Sequence, residues 1–190
     1  TVLFADYVLF LKPNIPLAVV EAKKSRLSMQ AGTQQAIEYA ALLGVPFSFS
    51  SNGEGFVFRD ATLSTGVLLQ NFTLDEFPSP QELWARYCKW KGWSTEVQSV
   101  AEFDYALATT AKTPRYYQLN AINRTVEAIA AGQNRVLLVM ATGTGKTYTA
   151  FQIIHRLWKS PWRSDKPSGQ KRILFLADRN ILIDQTMVND

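Results

Sequence analysis

The sequence contains a glycine-rich segment, MATGTGKT from Met140 to Thr147, of the kind that binds nucleotide phosphates. Glycines at such a turn let several backbone N–H groups approach a phosphate, and the dipole of a following helix adds positive potential. We expect the segment to bind ATP, with Lys146 on the β- and γ-phosphates and the Thr147 hydroxyl on the accompanying Mg²⁺. The predicted binding residues are Thr142, Gly143, Thr144, Gly145, Lys146 and Thr147.

Two carboxylates and a lysine form a second group, on two strand-like runs joined at Pro13-Asn14. A hairpin centred on that turn places Asp6 opposite Glu21. Opposed side chains lie about 5 Å apart, and two carboxylates at that distance destabilise a sheet unless a cation neutralises them. Lys23 points to the same face as Glu21. The group predicts a Mg²⁺ site with an activated water that attacks a phosphodiester, although Glu-Ala-Lys also occurs on solvated edge strands.

A polar pair on the next predicted helix is a candidate addition to this group. Gln35 and Tyr39 are four residues apart and therefore lie on the same side of a helix. We expect the packing face on roughly the opposite side, made of Ile37, Ala40, Ala41 and Gly44. The pair is then available to steady a neighbouring site.

The elements that must position these residues alternate between strands and helices. Residues 1–60 predict two strands, a helix and short strands, with a hairpin at Asn52-Gly53. Ser79-Pro80-Gln81-Glu82 predicts a helix start with a capping box, and Gly92 a helix end. The first half of the chain is therefore a mixed sheet with helices.

The second half predicts a helix followed by a βαβ unit. Leu119, Ile122 and Val126 recur at helical spacing after a polar stretch that is typical of a linker. Val136–Met140 is a continuous apolar run that predicts a buried strand before the phosphate loop. A helix striped with apolar residues follows the loop, and 172–177 predicts a second strand.

Composition places the chain among folded proteins. It has 190 residues, 47% of them hydrophobic, a net charge of +4 and one cysteine, Cys88. The charge is compatible with an anionic partner, and a lone cysteine fits a reducing compartment. No apolar run approaches the roughly 20 residues that cross a membrane, and no signal pattern opens the chain. We expect a cytoplasmic protein without a membrane partner, and a fragment of a longer chain.

Details of the phosphate loop resemble superfamily 2 helicases and translocases. Met140 stands where the general motif has a glycine, and Gln118 lies about one helix upstream. The resemblance implies that Gln118 contacts adenine. The run ILFLADR, from Ile173 to Arg179, is similar to motif Ia of that family, which makes Arg179 a contact for the nucleic-acid backbone.

The N-terminal group resembles the PD-(D/E)xK nucleases of the variety with a Gln-x-x-x-Tyr helix. The resemblance implies that Asp6 and Glu21 bind Mg²⁺, that Lys23 serves catalysis, and that Gln35 and Tyr39 support the site. Ala5 replaces the proline of the motif. A further acidic residue that often joins such sites would precede Thr1.

The two motif sets, in this order, resemble the restriction subunit of type I restriction enzymes over nearly the whole chain. That resemblance implies an α/β protein whose residues 1–92 belong to the endonuclease domain, 93–113 to a linker and 114–190 to the first RecA-like motor domain. It also implies ATP-driven translocation, cleavage of unmodified double-stranded DNA, and methyltransferase and specificity subunits as partners.

Two other readings stay open on the sequence alone. One is another superfamily 2 helicase-nuclease of DNA defence or repair, which shares both sites. The other is a docking fragment with incomplete motifs. The chain supplies no acidic Walker B box and no second motor lobe, so we expect this stretch alone not to hydrolyse ATP efficiently.

Overall fold

The computed structural model describes residues 4–64, 69–106, 113–162 and 172–176. The chain divides into two compact units between Gln98 and Ser99. This boundary lies inside the predicted 93–113 linker, but Thr95–Ala101 form a helix (α3) there instead of irregular chain. The difference arises because Val100 and Ala101 are buried, which the polar composition of the segment did not indicate.

The first unit contains a five-stranded mixed sheet in the order β1-β2-β3-β4-β5. The pair β2–β3 is parallel, and the other neighbouring pairs are antiparallel. Because a parallel pair needs a crossover, a helix connects β2 to β3, which confirms the mixed sheet with helices predicted from the sequence. The strands are Tyr7–Lys12 (β1), Ile15–Ala22 (β2), Phe47–Ser51 (β3), Phe56–Asp60 (β4) and Leu69–Phe72 (β5).

Two helices cover opposite faces of this sheet. The crossover helix Thr33–Leu43 (α1) packs Ala40 against Val19 of β2. The helix Pro80–Lys91 (α2) packs against β1 and β2, and its Arg86 pairs with Asp60 of β4. Val19 aligns with Ser48, and Ser48 aligns with Arg59, so these three side chains share one face of the sheet. Asp60 follows Arg59 in the strand and therefore points to the opposite face. The face of Val19 is also the face of Glu21.

The ends of α2 agree with the sequence prediction. Ser79 accepts a hydrogen bond from the Glu82 backbone, the Glu82 carboxylate returns to the Ser79 N–H, and Pro80 occupies the first turn. Gly92 ends the helix with φ of 64°, a left-handed conformation that favours glycine. The capping box and the glycine stop are therefore confirmed.

The packing face of α1 differs from the prediction. Ala36 and Ala40 are its buried residues, whereas Ala41 is exposed. Tyr39 does not lie opposite this face but packs at its edge, against the cluster of Val19, Ala40 and Val45. The cause is the direction of the helix over β2 and β3, which hydrophobic spacing alone does not determine.

The second unit has a small apolar core between helices. Val100 of α3, Ile122 and Val126 of the helix Tyr116–Ala130 (α4), and Leu157 of the helix Lys146–Lys159 (α5) form it. The helical spacing of α4 is thus confirmed. The buried face of α5 is unexpectedly polar, since Thr149, Gln152 and Arg156 are fully buried. Gln152 and Arg156 bond the backbone of Ala106 and Ala101, and Arg156 also bonds Asn123 of α4.

The predicted strands of this unit are not formed in the described residues. Neither Val136–Met140 nor 172–176 is assigned to a strand, and Leu137 and Leu174 are 86% and 82% exposed. An apolar run becomes a buried parallel strand only when neighbours supply hydrogen bonds and covering helices. In the described part of the chain neither run has such a neighbour. No helix there is long and apolar enough to span a bilayer.

Candidate active sites

A continuous chain of hydrogen bonds joins four predicted site residues in the first unit. The Lys23 amine donates to Glu21 Oε1 at 2.8 Å and to Gln35 Oε1 at 2.8 Å. The Gln35 amide nitrogen donates in turn to the Tyr39 hydroxyl at 3.0 Å. The structure therefore brings together a carboxylate, a lysine and the two polar residues of α1.

Local strand geometry explains how Glu21 and Lys23 come to share a face. Glu21 is the second-last residue of β2, and the Lys23 N–H donates to the Ser51 carbonyl at 2.7 Å, which continues the contact with β3 beyond the strand end. Alternate residues of extended chain point the same way. The two side chains therefore project toward α1 from the carboxyl end of β2.

Asp6 approaches the same strand end from β1. The hairpin register agrees with the prediction, since Tyr7 aligns with Val20 and Val8 with Val19. Asp6 immediately precedes β1, and its Oδ2 accepts a hydrogen bond from the Ala22 N–H at 2.8 Å. The exposed Asp6 carboxylate thus lies at the backbone next to the Glu21 side chain.

Glu21 is the residue in this group best suited to a cation. It is 3% exposed, and its Oε1 oxygen receives the Lys23 amine. Its Oε2 oxygen is buried and has no hydrogen-bond partner among the described residues. A buried carboxylate oxygen without a partner is costly unless a cation or a donor compensates it. The donor set therefore fits a hard, oxygen-preferring ion such as Mg²⁺.

The acidic residues alone make an incomplete metal site. No group of three or more His, Cys, Asp or Glu side chains suited to a metal occurs in the residues that the structure describes. Asp6 and Glu21 would leave the remaining positions of a Mg²⁺ ion to water, the substrate or a further ligand, which is how this ion is commonly held.

Sequence reasoning missed two residues that pack directly against this group. Ser50, on β3 opposite Glu21, accepts a hydrogen bond from the Gly32 N–H at 3.1 Å and donates to the Met29 carbonyl at 2.6 Å. A Cβ atom on Gly32 would lie 2.9 Å from Cε of Lys23 and 3.0 Å from Cγ of Glu21. The signal was weak, since a serine in a strand and a glycine before a helix are both common.

The predicted phosphate loop forms a tight turn at the start of α5. Gly143 and Gly145 have φ of 76° and 82°, so both need the conformational freedom of glycine. The Lys146 amine donates to the Ala141 carbonyl at 3.2 Å and lies over the loop. Thr147 is exposed in the first turn of the helix. A glycine turn, a helix N-terminus and a lysine thus lie together, and these are the components that a phosphate site needs.

Gln118 contacts this loop directly. Its side-chain oxygen accepts a hydrogen bond from the Arg115 N–H at 2.9 Å, and its amide nitrogen donates to the Thr144 carbonyl at 2.8 Å. Gln118 is 8% exposed. The upstream glutamine and the phosphate loop are therefore one structural group, and the predicted backbone contact Arg179 lies outside the described residues.

Two buried polar residues of α5 were also missed. Gln152 bonds both backbone groups of Ala106, accepting from N–H at 2.9 Å and donating to the carbonyl at 3.1 Å. Arg156 donates to the Ala101 carbonyl and to Asn123 Oδ1. Burial lowers the pKa of Arg156 to about 10, so the guanidinium stays charged at neutral pH. The helix that starts at the phosphate loop therefore also fixes residues 101–106.

Two protein families match this sequence over separate stretches. Residues 4–65 match the family described as "Type I restriction enzyme R protein N terminus". Residues 111–190 match the family described as "Type III restriction enzyme, res subunit". The two stretches contain the Glu21–Lys23 group and the phosphate loop respectively.

Curated relatives match the chain over almost all of its length. The EcoAI type I restriction enzyme endonuclease subunit of Escherichia coli is 60% identical over 191 residues and covers 100% of this chain. The EcoKI endonuclease subunit of E. coli K12 is 28% identical over 97% of it. The chain spans only 23% and 18% of these two relatives.

A solved structure agrees with these matches. A fragment of an HsdR subunit of a type I restriction enzyme from Vibrio vulnificus is 41% identical, with a TM-score of 0.74. The match covers 83% of this chain and 29% of that one. The similarity thus extends from sequence to fold.

Proposed function

We infer the function of this chain from the family to which it belongs. Over the segment that it spans, the chain is a member of the type I restriction endonuclease R subunits. The proposal is that the whole protein is an ATP-dependent type I site-specific deoxyribonuclease, to which the first unit contributes the nuclease site and the second the start of the motor. The observation that carries it is the hydrogen-bonded chain Glu21–Lys23–Gln35–Tyr39 at the end of β2.

The nuclease role rests on what each residue of that chain is able to do. Glu21 and Asp6 would hold Mg²⁺, which when bound polarises the phosphodiester and lowers the pKa of a coordinated water. The Lys23 amine would donate to a phosphate oxygen as negative charge develops there. Hydrolysis forms one phosphorus–oxygen bond to water and breaks one to the leaving strand end.

Gln35 and Tyr39 would act as positioning residues for this lysine. A lysine side chain is flexible, and holding its amine in one place costs side-chain entropy. Gln35 supplies an acceptor on the side away from Glu21, and Tyr39 fixes the orientation of the Gln35 amide. The amine is thereby held in place before the substrate arrives, which favours catalysis.

The motor role rests on the second unit. The backbone of Thr142, Gly143, Thr144 and Gly145 would bind the phosphates of ATP, with Lys146 on the β- and γ-phosphates and Thr147 on Mg²⁺. Gln118 would contact adenine, linked to the loop through the Thr144 carbonyl. Arg179 would contact the DNA backbone. Hydrolysis would also require an acidic Walker B box and a second motor lobe.

The partners follow from the same family. The protein would translocate along double-stranded DNA and cut unmodified DNA, in a complex with methyltransferase and specificity subunits that recognise the target sequence. A cytoplasmic location goes with this proposal, because the DNA on which it would act lies there.

Two lysine variants of the full-length subunit, assembled with its partners, test the assignment. Lys23→Ala should abolish cleavage of unmodified DNA and leave DNA-dependent ATPase activity near wild type. Lys146→Ala should abolish ATPase activity, translocation and therefore cleavage. Lys89→Ala, an exposed lysine on α2 at the other face of the sheet, is the control and should leave both activities intact. Wild-type cleavage by Lys23→Ala would refute the nuclease assignment.

A further inference from the structure

The segment that follows the catalytic lysine candidate is a basic turn on the protein surface. It comprises residues 24–31, between Lys23 and Gly32, and it exposes Lys24 and Arg26. The sequence contains no acidic residue between Glu21 and Glu38, so nothing within the segment offsets these cations. The turn is therefore a local positive surface beside the Glu21–Lys23 group.

Within the part of the chain that the structure describes, the two cations have no protein partner. Neither the Lys24 side chain nor the Arg26 side chain has a hydrogen bond or ion pair in the described residues. The Glu54 carboxylate contacts Asn52 instead, whose side chain also bonds the turn at Leu27. Both cations are exposed and follow Lys23 within three residues of the chain.

The backbone of the basic turn is nevertheless fixed. Asn52 Nδ2 donates to the Leu27 carbonyl at 3.0 Å, and the Ser50 hydroxyl donates to the Met29 carbonyl at 2.6 Å. Within the turn, the Leu27 N–H donates to the Lys24 carbonyl at 2.9 Å. Residues at the end of β3 thus hold in place a segment whose side chains stay exposed.

We propose that the basic turn is a contact surface for the DNA backbone, in which Lys24 and Arg26 bind phosphates next to the one that is cut. The proposal rests on the nuclease assignment above. A phosphate held at Glu21 and Lys23 brings its neighbours on the strand close, since phosphates recur every ~3.4 Å of axis per strand. Lys24 lies about 3.8 Å from Lys23 between Cα atoms. The fixed backbone sets the spacing between the binding and the cutting positions.

Cleavage by the full-length subunit in its complex, measured across a range of salt concentrations, tests this surface. The double variant Lys24→Ala/Arg26→Ala should cleave about 10-fold more slowly near 0.15 M salt and recover at low salt, because the remaining phosphate contacts strengthen when screening is weak and then hold the DNA without the two lost ones. DNA-dependent ATPase activity should stay within about twofold of wild type, since the motor is unchanged. The charge-retaining variant Lys24→Arg/Arg26→Lys should restore most of the cleavage.

The control is Lys89→Ala, which removes one positive charge from the other face of the sheet. If the double variant cleaves like Lys89→Ala at every salt concentration, the basic turn does not bind DNA. Parallel loss of ATPase activity would also overturn the proposal, because the effect would then act through the motor. A separate result, wild-type cleavage by Lys23→Ala, would refute the nuclease assignment itself.

Discussion

Glu21 and Ser50 are direct partners across the parallel pair of β2 and β3. This pairing brings the Ser50 hydroxyl under the turn that leads into α1, where it bonds Met29 and Gly32. Gly32 has φ of −100°, a value open to any residue, so its backbone does not require glycine. Space requires it, because a Cβ atom would lie 2.7 Å from Ser50 Oγ and within 3.0 Å of both Lys23 and Glu21.

Gly32→Ala should therefore impair cleavage without unfolding the protein. The added methyl group would displace the Lys23 and Glu21 side chains, and a displacement of about 1 Å at a reactive group costs about 100-fold in rate. The measurement is cleavage by the full-length complex as a function of Mg²⁺ concentration, beside ATPase activity and thermal unfolding. We expect slower cleavage, a higher Mg²⁺ requirement and unchanged ATPase activity.

A double variant separates the two causes of crowding at Gly32. Ser50→Ala removes the nearest atom, so Gly32→Ala/Ser50→Ala should stay impaired if contact with Lys23 and Glu21 is the cause. Ser48→Ala, a buried serine on the same face of β3, is the control for Ser50→Ala. Full recovery in the double variant would show that crowding against Ser50 alone explains the defect.

Gln35 and Tyr39 should affect cleavage in a graded way. Gln35→Ala removes the second partner of the Lys23 amine and should slow cleavage about 10-fold or more, as expected when one positioning hydrogen bond is lost. Tyr39→Phe keeps the packed ring and loses only the bond from Gln35, so its effect should be smaller. The control is Gln34→Ala, since the amide of Gln34 bonds only the exposed Glu38 side chain in the described residues. An effect of Gln34→Ala equal to that of Gln35→Ala would contradict the positioning role.

Gln118→Ala should weaken nucleotide binding by the full-length subunit. If Gln118 contacts adenine, affinity for ATP should fall about 10-fold, which is the change expected when one hydrogen bond is lost. Affinity for GTP should change much less. Gln133→Ala, an exposed glutamine of the same unit, is the control. Equal losses for ATP and GTP would instead assign Gln118 to bracing the phosphate loop through Thr144.

Gln152→Ala should release residues 101–106 locally. The Ala106 N–H and carbonyl would both lose their partner, and amide exchange with solvent reports such local opening. We expect hydrogen exchange at Ala106 to speed up about 10-fold or more, in line with the loss of a buried hydrogen bond. Gln133→Ala again serves as the control. Unchanged exchange at Ala106 would mean that Arg156 and the apolar core hold the segment without Gln152.

Features that depend on a few neighbouring residues were determined by the sequence. The turn at Pro13-Asn14 set the register of β1 and β2, and alternation then placed Glu21 and Lys23 on one face. The capping box at Ser79 and the glycine turn before α5 are equally local. Such features follow from the sequence because short-range sterics and hydrogen bonds determine them, whatever surrounds them.

Only the tertiary structure decided the contacts between distant segments. The hydrogen bond from Lys23 to Gln35 depends on how α1 packs over the sheet, and the space at Gly32 depends on Ser50 from β3. The buried polar face of α5 likewise depends on the 101–106 backbone that it meets. Sequence periodicity shows that a side chain lies on a given face, but packing between elements decides what that face meets, and with it which side chains form a site.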